Sequence, residues 1–212
     1  GGSLRLPGEV LYTHPVHNFA VVSYDPELLG DTPVRSARIE TSGLETGDDI
    51  WLVGLGSDYR ITSRETRVGR IGPLLLPFPS RRPQFRDQNI DAISIEDSVP
   101  TLGGVLADTR GRVRALWSSF HVAEGDDMGF GGNEDGLFRG LPVELVSLVL
   151  DDLTADRPVD YRAHGLELHP VNLADARDLG LSDARARQLE AHDPNRREVL
   201  QIARIARGFP AE

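Results

Sequence analysis

The chain has 212 residues, a formal net charge of −10 and no cysteine. That length suits one or two domains. The missing cysteine excludes disulfides, thiolate-bound zinc and thiol nucleophiles, and the acidic balance is the wrong sign for general nucleic-acid binding. Against 39% hydrophobic residues stand 22 Gly, 14 Pro and only 6% aromatics, a composition that favours many short strands over long helices.

The N-terminus, GGSLRLPGEV, has neither a basic n-region nor an apolar h-region, so no signal peptide is expected and the compartment stays open. Gly1-Gly2-Ser3 reads as a linker remnant, and the chain reads as a fragment. No apolar run approaches the length of a membrane-spanning helix. Short apolar runs then follow in series: Glu9–Tyr12; Phe19–Tyr24, closed by Asp25-Pro26; Ile50–Leu55, after the turn pair Gly47-Asp48; and Tyr59–Ile71. Ile90–Ile95, Val105–Leu106 and Arg112–Trp117 continue it, the last with clear polar–apolar alternation. Strands at this spacing predict an antiparallel barrel or sandwich. Trp51 and Trp117 are expected as core aromatics on those strands.

Two loops interrupt the series. Residues 73–83, PLLLPFPSRRP, are Pro-rich and expected outside any sheet, because proline cannot donate to a ladder. Residues 124–136, EGDDMGFGGNEDG, are acidic and Gly-rich but lack the alternating oxygen ligands and distant Glu of an EF-hand, so a surface loop is expected and no metal. Pro142 then opens a helical pattern through Leu150, and residues 151–158 read as a linker. Beyond lies a smaller unit. It has a short strand at Leu166–Leu168, a helix capped by Asn172 and stopped at Gly180, a helix opened by Ser182, and a strand at Val199–Ile205. The arginines between residues 185 and 207 fit a solvated helix face and strand ends.

Several stretches match one family in order. HPVHNFAVVSYDP resembles the segment of HtrA/Deg-type serine proteases that carries the triad acid, DP-x-x-D-(I/L)-A-V-(I/L). GDDIWLVGLG resembles the strand that opens their second barrel, and NIDAISIEDSVPTLGGVLADTRGRVRALW resembles the stretch around their G-N-S-G-G nucleophile motif. LPVELVSLVLDDL resembles the helix that leads to their PDZ module, and residues 165–212 resemble the first part of that module. The nearest likeness is to the decayed second protease half, and the start of the following PDZ domain, in tandem HtrA-like proteins.

The resemblance implies a mainly β, trypsin-like (chymotrypsin-fold) β-barrel, with the first barrel incomplete, followed by a linker helix and a partial α+β PDZ domain. Residues 1–40 would be a remnant of the first barrel and 41–138 the second barrel. Residues 139–158 would be helix and linker, and 159–212 the N-terminal part of the PDZ domain. An isolated chain of this kind should expose apolar edges and unfold with poor cooperativity.

The same resemblance assigns the site. The nucleophile position falls on Leu102, which has no hydroxyl. The acid position falls on Asn18, a substitution that typically costs about 10⁴ in turnover. The oxyanion-hole glycine falls on Pro100, which has no N–H, and losing one such donor costs about 10²–10³. Ser98, after Asp97, and Thr101, one place before the expected site, are the alternative nucleophiles. Val99-Pro100 stiffens the turn around Ser98, and a one-residue shift turns Thr101 away from the cleft. His14 and His17 are expected as loop histidines. As His-x-x-His they also raise metal binding, with His121 a distant third ligand, but no metal and no cofactor is expected.

The expected function is therefore a catalytically inactive HtrA-like module within a setting of proteolysis and protein quality control. It would be a scaffold and peptide-recognition unit for an active protease half, taking extended peptides at the PDZ edge. The alternatives are an active serine endopeptidase using Ser98 or Thr101, and a free-standing PDZ-type adaptor.

Overall fold

The computed structural model describes residues 4–17, 19–74, 90–99, 101–120, 137–162, 164–194, 196–208 and 210. They fall into two compact units, one up to residue 160 and one from residue 161.

The first unit opens with an antiparallel hairpin of β1 (Gly8–Thr13) and β2 (Ala20–Tyr24), paired from Gly8↔Tyr24 to Thr13↔Ala20. Val10 and Val22 lie opposite each other, and both are exposed. A 3-10 turn, Pro26–Leu29, follows. Asp25 caps it by accepting a bond from the Glu27 N–H at 2.9 Å, and Pro26 presets the first φ.

Six further strands close into a barrel: β3 (Asp49–Leu55), β4 (Ile61–Pro73), β5 (Asp91–Ile95), β6 (Gly103–Ala107), β7 (Val113–Phe120) and β8 (Leu137–Pro142). Their spatial order is β3-β4-β5-β8-β7-β6, with every pairing antiparallel. Alternation decides what faces in. Ile50 and Leu52 are fully buried and pack with Val68, Ile93, Leu106, Ala115 and Trp117, while Leu44, Ile71, Ile95, Val99 and Phe138 close around them. Each fully buried aliphatic side chain contributes about 1.5–3 kcal/mol. Outside the barrel, α1 (Val143–Thr154) lays Val143 and Val146 on Val113, with Phe19 of the hairpin, Val105 and Leu116 alongside.

The barrel departs from the sequence expectations at Trp51, β8 and Pro73, and α1 runs to Thr154, four residues into the stretch expected as a linker. Trp117 is in the core, stacked on Phe138 at 6.1 Å between ring centroids. Trp51 is not: it shares parity with Val53 and Leu55 on the outer face and is half-buried, because Ile50 and Leu52 take the inner one. The strand β8 has no sequence signal, since Arg139 and Gly140 break its apolar alternation. Its glycine is required by packing, because a Cβ on Gly140 would meet Leu106 Cδ1 at 2.9 Å and Ile93 Cβ at 3.0 Å. Pro73, expected outside the sheet, is the last residue of β4, opposite Asp91, where a strand end tolerates it. Leu74 is buried with Ala92 and Phe120, while residues 75–83 and the acidic loop lie outside the described residues.

In the second unit β9 (Leu166–Asn172) pairs antiparallel with β10 (Glu198–Ile205), from Leu166↔Ile205 to Asn172↔Glu198. Between them in sequence lie α2 (Leu173–Asp178) and α3 (Asp183–His192). Asn172 caps α2 by accepting from the Asp175 N–H at 2.9 Å, Gly180 takes φ +104° after its end, and Ser182 caps α3. Leu173, Ala176 and Ala186 are buried.

Candidate active site

The segment between β5 and β6 carries Ser98, Thr101 and Leu102. Its entrance is pinned to β4: Glu96 N–H donates to the Arg67 carbonyl and Asp97 N–H to the buried Thr66 hydroxyl, both at 3.0 Å. Val99 packs on the barrel core. Ser98 is exposed, and Thr101 is buried at 7% exposure. Leu102 points outward at 57%, so consecutive side chains take opposite sides. Among the described residues the buried Thr101 hydroxyl has no hydrogen-bond partner. Pro100 and Asn18 lie outside the described residues.

The backbone at Leu102 is already committed. Its N–H donates to the Leu55 carbonyl at 2.7 Å, which carries the β3–β6 ladder one step past Gly103↔Leu55. An oxyanion hole needs unengaged N–H groups aimed at the developing charge, and the strand pairing spends this one.

The two glycines that follow are required by the barrel itself. Gly103 has φ +149°, which a side chain would strain. Gly104 faces Gly54 across β3–β6. A Cβ on Gly104 would lie 2.3 Å from the Val53 carbonyl oxygen, and one on Gly54 would lie 2.7 Å from the Gly103 oxygen. The close strand approach explains the Gly-Gly pair without any catalytic role.

His14 and His17 form the tip of the β1–β2 hairpin and are both buried. Their rings stack at 4.5 Å, with Phe19 at 4.9 Å and Tyr12 edge-on at 5.9 Å. His14 Nδ1 accepts from the His17 N–H at 2.9 Å and the Val16 N–H at 3.2 Å, so this lone pair is spent on its own turn. Burial lowers the His14 pKa; burial, then the neighbouring His14, lowers that of His17 to about 4. Among the described residues no three His, Asp or Glu side chains are grouped to hold a metal.

The sequence reading assigned no role to Asp108 or to the segment ahead of β3. Asp108 Oδ1 accepts from the Arg110 and Arg112 N–H groups at 2.9 and 3.0 Å, and the Arg112 side chain bonds Oδ2 at 2.7 Å. Arg112 also pairs with Glu40, and Arg114 donates to the Ser42 and Gly43 carbonyls. These contacts fasten residues 39–44 along β7, where Ile39 makes a parallel bridge to Val113. Burial raises the Asp108 pKa, but the hydrogen bonds from Arg112 and Arg110 outweigh it and the net shift is down. The D-x-x-G spacing of Asp108 to Gly111 is the sequence signal for the turn; the reach back to Glu40 has none.

No family model matches the chain. Curated proteins do. The chain is 32% identical to a PDZ domain-containing protein of Schizosaccharomyces pombe over 210 residues, which is 98% of this chain and 21% of that protein. It is also 32% identical to Protease Do-like 7 of Arabidopsis thaliana, over 99% of this chain and 21% of that protein. It therefore spans about a fifth of the length of these relatives. Among solved structures, the HtrA-type protease AlgW with a decapeptide aligns with TM-score 0.55 and 18% identity, over 97% of this chain and 54% of that one. The Rv3671c protease from M. tuberculosis aligns with TM-score 0.51 over 75% and 63%. The closed barrel is thus of the trypsin-like kind. By sequence relatives and by fold together, the chain belongs to the HtrA/Deg family of trypsin-like serine-protease homologues.

Proposed function

We propose that this chain is a catalytically inactive HtrA-like module, serving as a scaffold and peptide-recognition unit beside an active protease half. The observation that carries the reading is the state of Leu102. An aliphatic side chain stands in the nucleophile position, and its N–H is bonded to Leu55 at 2.7 Å rather than left for an oxyanion. Asn18 in place of the acid and Pro100 in place of a donor glycine point the same way. The parts of such a site act as a unit, so their separate costs are not multiplied. The length of the curated relatives, about five times the matched segment, is compatible with an active half elsewhere in such proteins.

In this reading residues 1–40 are a remnant of the first barrel, 41–138 the second barrel, and 139–158 helix and linker. Residues 159–212 begin a PDZ domain, whose sheet edge takes extended peptides by strand addition. The burial of Thr101, and the exposure of Ser98 between the pinned Asp97 and the core-packed Val99, disfavour the active-endopeptidase alternative. The test is a fluorophosphonate probe with a parallel peptidase assay on the chain. No labelling and no hydrolysis are expected. Labelling abolished by Ser98→Ala or Thr101→Val would refute the inactive assignment. A free-standing adaptor would be indicated if a parent protein carried no second site with histidine, aspartate and an intact G-N-S-G-G.

A further inference from the structure

The strand β4 outruns its neighbour β5. Residues 61–67 of β4 pair with β3, but β5 pairs with β4 only from Val68 onward, where Val68 lies opposite Ile95. The chain leaves β5 through the Glu96 and Asp97 bonds to Arg67 and Thr66, and among the described residues no strand lies beside 61–65 on that side. Alternation fixes which backbone groups this leaves. Val68 N–H donates to the Asp48 carbonyl and the Arg60 carbonyl accepts from Gly56 N–H, so the even-numbered residues of this stretch bond toward β3. The Arg67 carbonyl faces the other way and accepts from Glu96 N–H. Ile61, Ser63 and Glu65 therefore turn their N–H and C=O groups to an open edge.

The edge is short and charged, which disfavours indiscriminate pairing, but it has no bulge and no proline to refuse a complementary strand. Its side chains divide by face. Ile61, 81% exposed, lies opposite the exposed Leu55, with the small Ser63 next on the same face. Thr62 and Arg64 take the other face, where Arg64 is exposed and has no ion pair among the described residues. Arg60 and Arg67, at the two ends, have Asp58 at 3.8 Å and Asp49 at 2.9 Å. Residues 60–67 carry three arginines against one glutamate, in a chain of net charge −10.

We propose that residues 61–65 are a docking edge for an extended acidic peptide of a partner protein, which adds to β4 as a further strand. The guest backbone takes up the free groups of Ile61, Ser63 and Glu65. A guest carboxylate lies beside Arg64, and an apolar side chain on the opposite face packs over Ile61 and Leu55. A second copy of this chain fits worse. Antiparallel self-pairing centred on Ser63 sets Ile61 opposite Glu65; centred on Thr62 it sets Arg60 opposite Arg64, and centred on Arg64 it sets that arginine opposite itself. The edge belongs to the first unit, so the inference does not rest on a peptide site in the second, nor on whether the β5–β6 turn is catalytic.

The test is fluorescence anisotropy with two dye-labelled, end-blocked peptides, Val-Glu-Val-Glu-Val and its charge-reversed counterpart Val-Lys-Val-Lys-Val. Saturable one-to-one binding of the acidic peptide is expected, about tenfold or more tighter than that of the basic one. Ser63→Pro removes an edge-facing N–H and no bond to β3, and should weaken binding about tenfold. Arg64→Gln should weaken it about threefold and reduce its salt dependence. Arg187→Gln, on α3 of the second unit, should leave it unchanged. Circular dichroism checks that each variant is folded. If Ser63→Pro is not, acidic peptides N-methylated at alternate residues replace it: one alternate set should lose binding and the other keep it. No saturable binding of the acidic peptide, equal binding of the two peptides, or unchanged affinity in folded Ser63→Pro would overturn the proposal. So would self-association in sedimentation velocity that Ser63→Pro abolishes, which would assign the edge to a second copy.

Discussion

Substituting Gly104 by alanine tests whether the Gly-Gly pair belongs to the barrel or to a lost active site. The new Cβ would sit 2.3 Å from the Val53 oxygen and 2.6 Å from Gly54 Cα. That is about 1 Å inside van der Waals contact with backbone atoms, which cannot rotate away. Relief requires β3 and β6 to part, stretching the pairs Val53↔Val105, Gly54↔Gly104 and Leu55↔Gly103. Overpacking of this kind costs about 3 kcal/mol, the upper part of the usual range. With a urea m-value of about 2 kcal/mol/M, the midpoint should fall by about 1.5 M. Gly43→Ala is the control. Its Cβ meets nothing within 4 Å, so the midpoint should hold or rise slightly. A Gly104→Ala midpoint within about 0.3 M of the unsubstituted chain would refute the packing explanation and return the glycines to a catalytic account.

Four further outcomes follow from the same geometry. Thr101→Val removes a buried hydroxyl with no partner, so thermal melts should show unchanged or slightly higher stability; a loss above about 1 kcal/mol would mean that the hydroxyl is bonded. Asp108→Asn leaves Arg112 with Glu40 as its remaining charge partner and should cost about 1–3 kcal/mol in urea unfolding. Because the folded pKa of Asp108 lies below 3.8, its contribution is present above that pH and is lost as pH falls further; an acid-unfolding curve unchanged by the substitution would count against this. His17 has a folded pKa of about 4 against an ordinary 6.5. The unfolded chain protonates first, so stability is full above 6.5 and falls by about 3 kcal/mol down to pH 4. His17→Leu should flatten melting temperature against pH in that window, and parallel curves would sink the claim. Leu102→Ser supplies a hydroxyl but no acid and no released N–H, so fluorophosphonate labelling should remain undetectable; robust labelling would show that the turn is still competent.

Polar–apolar alternation in β7, the turn signals between runs, and the caps at Asn172 and Ser182 were all legible in the sequence, because each is a local relation between neighbouring residues. So was the order of motifs that carries the family resemblance. Other features depend on strands that meet only in the closed barrel. The β8 strand is defined by its partners β5 and β7, not by its own pattern. Trp51 faces out because Ile50 and Leu52 claim the core. The Leu102 N–H is spent on Leu55 from 47 positions away, and Glu40 reaches Arg112 from 72. Which side chains a residue meets across a barrel is set by register and closure, and neither is written in any single stretch of chain.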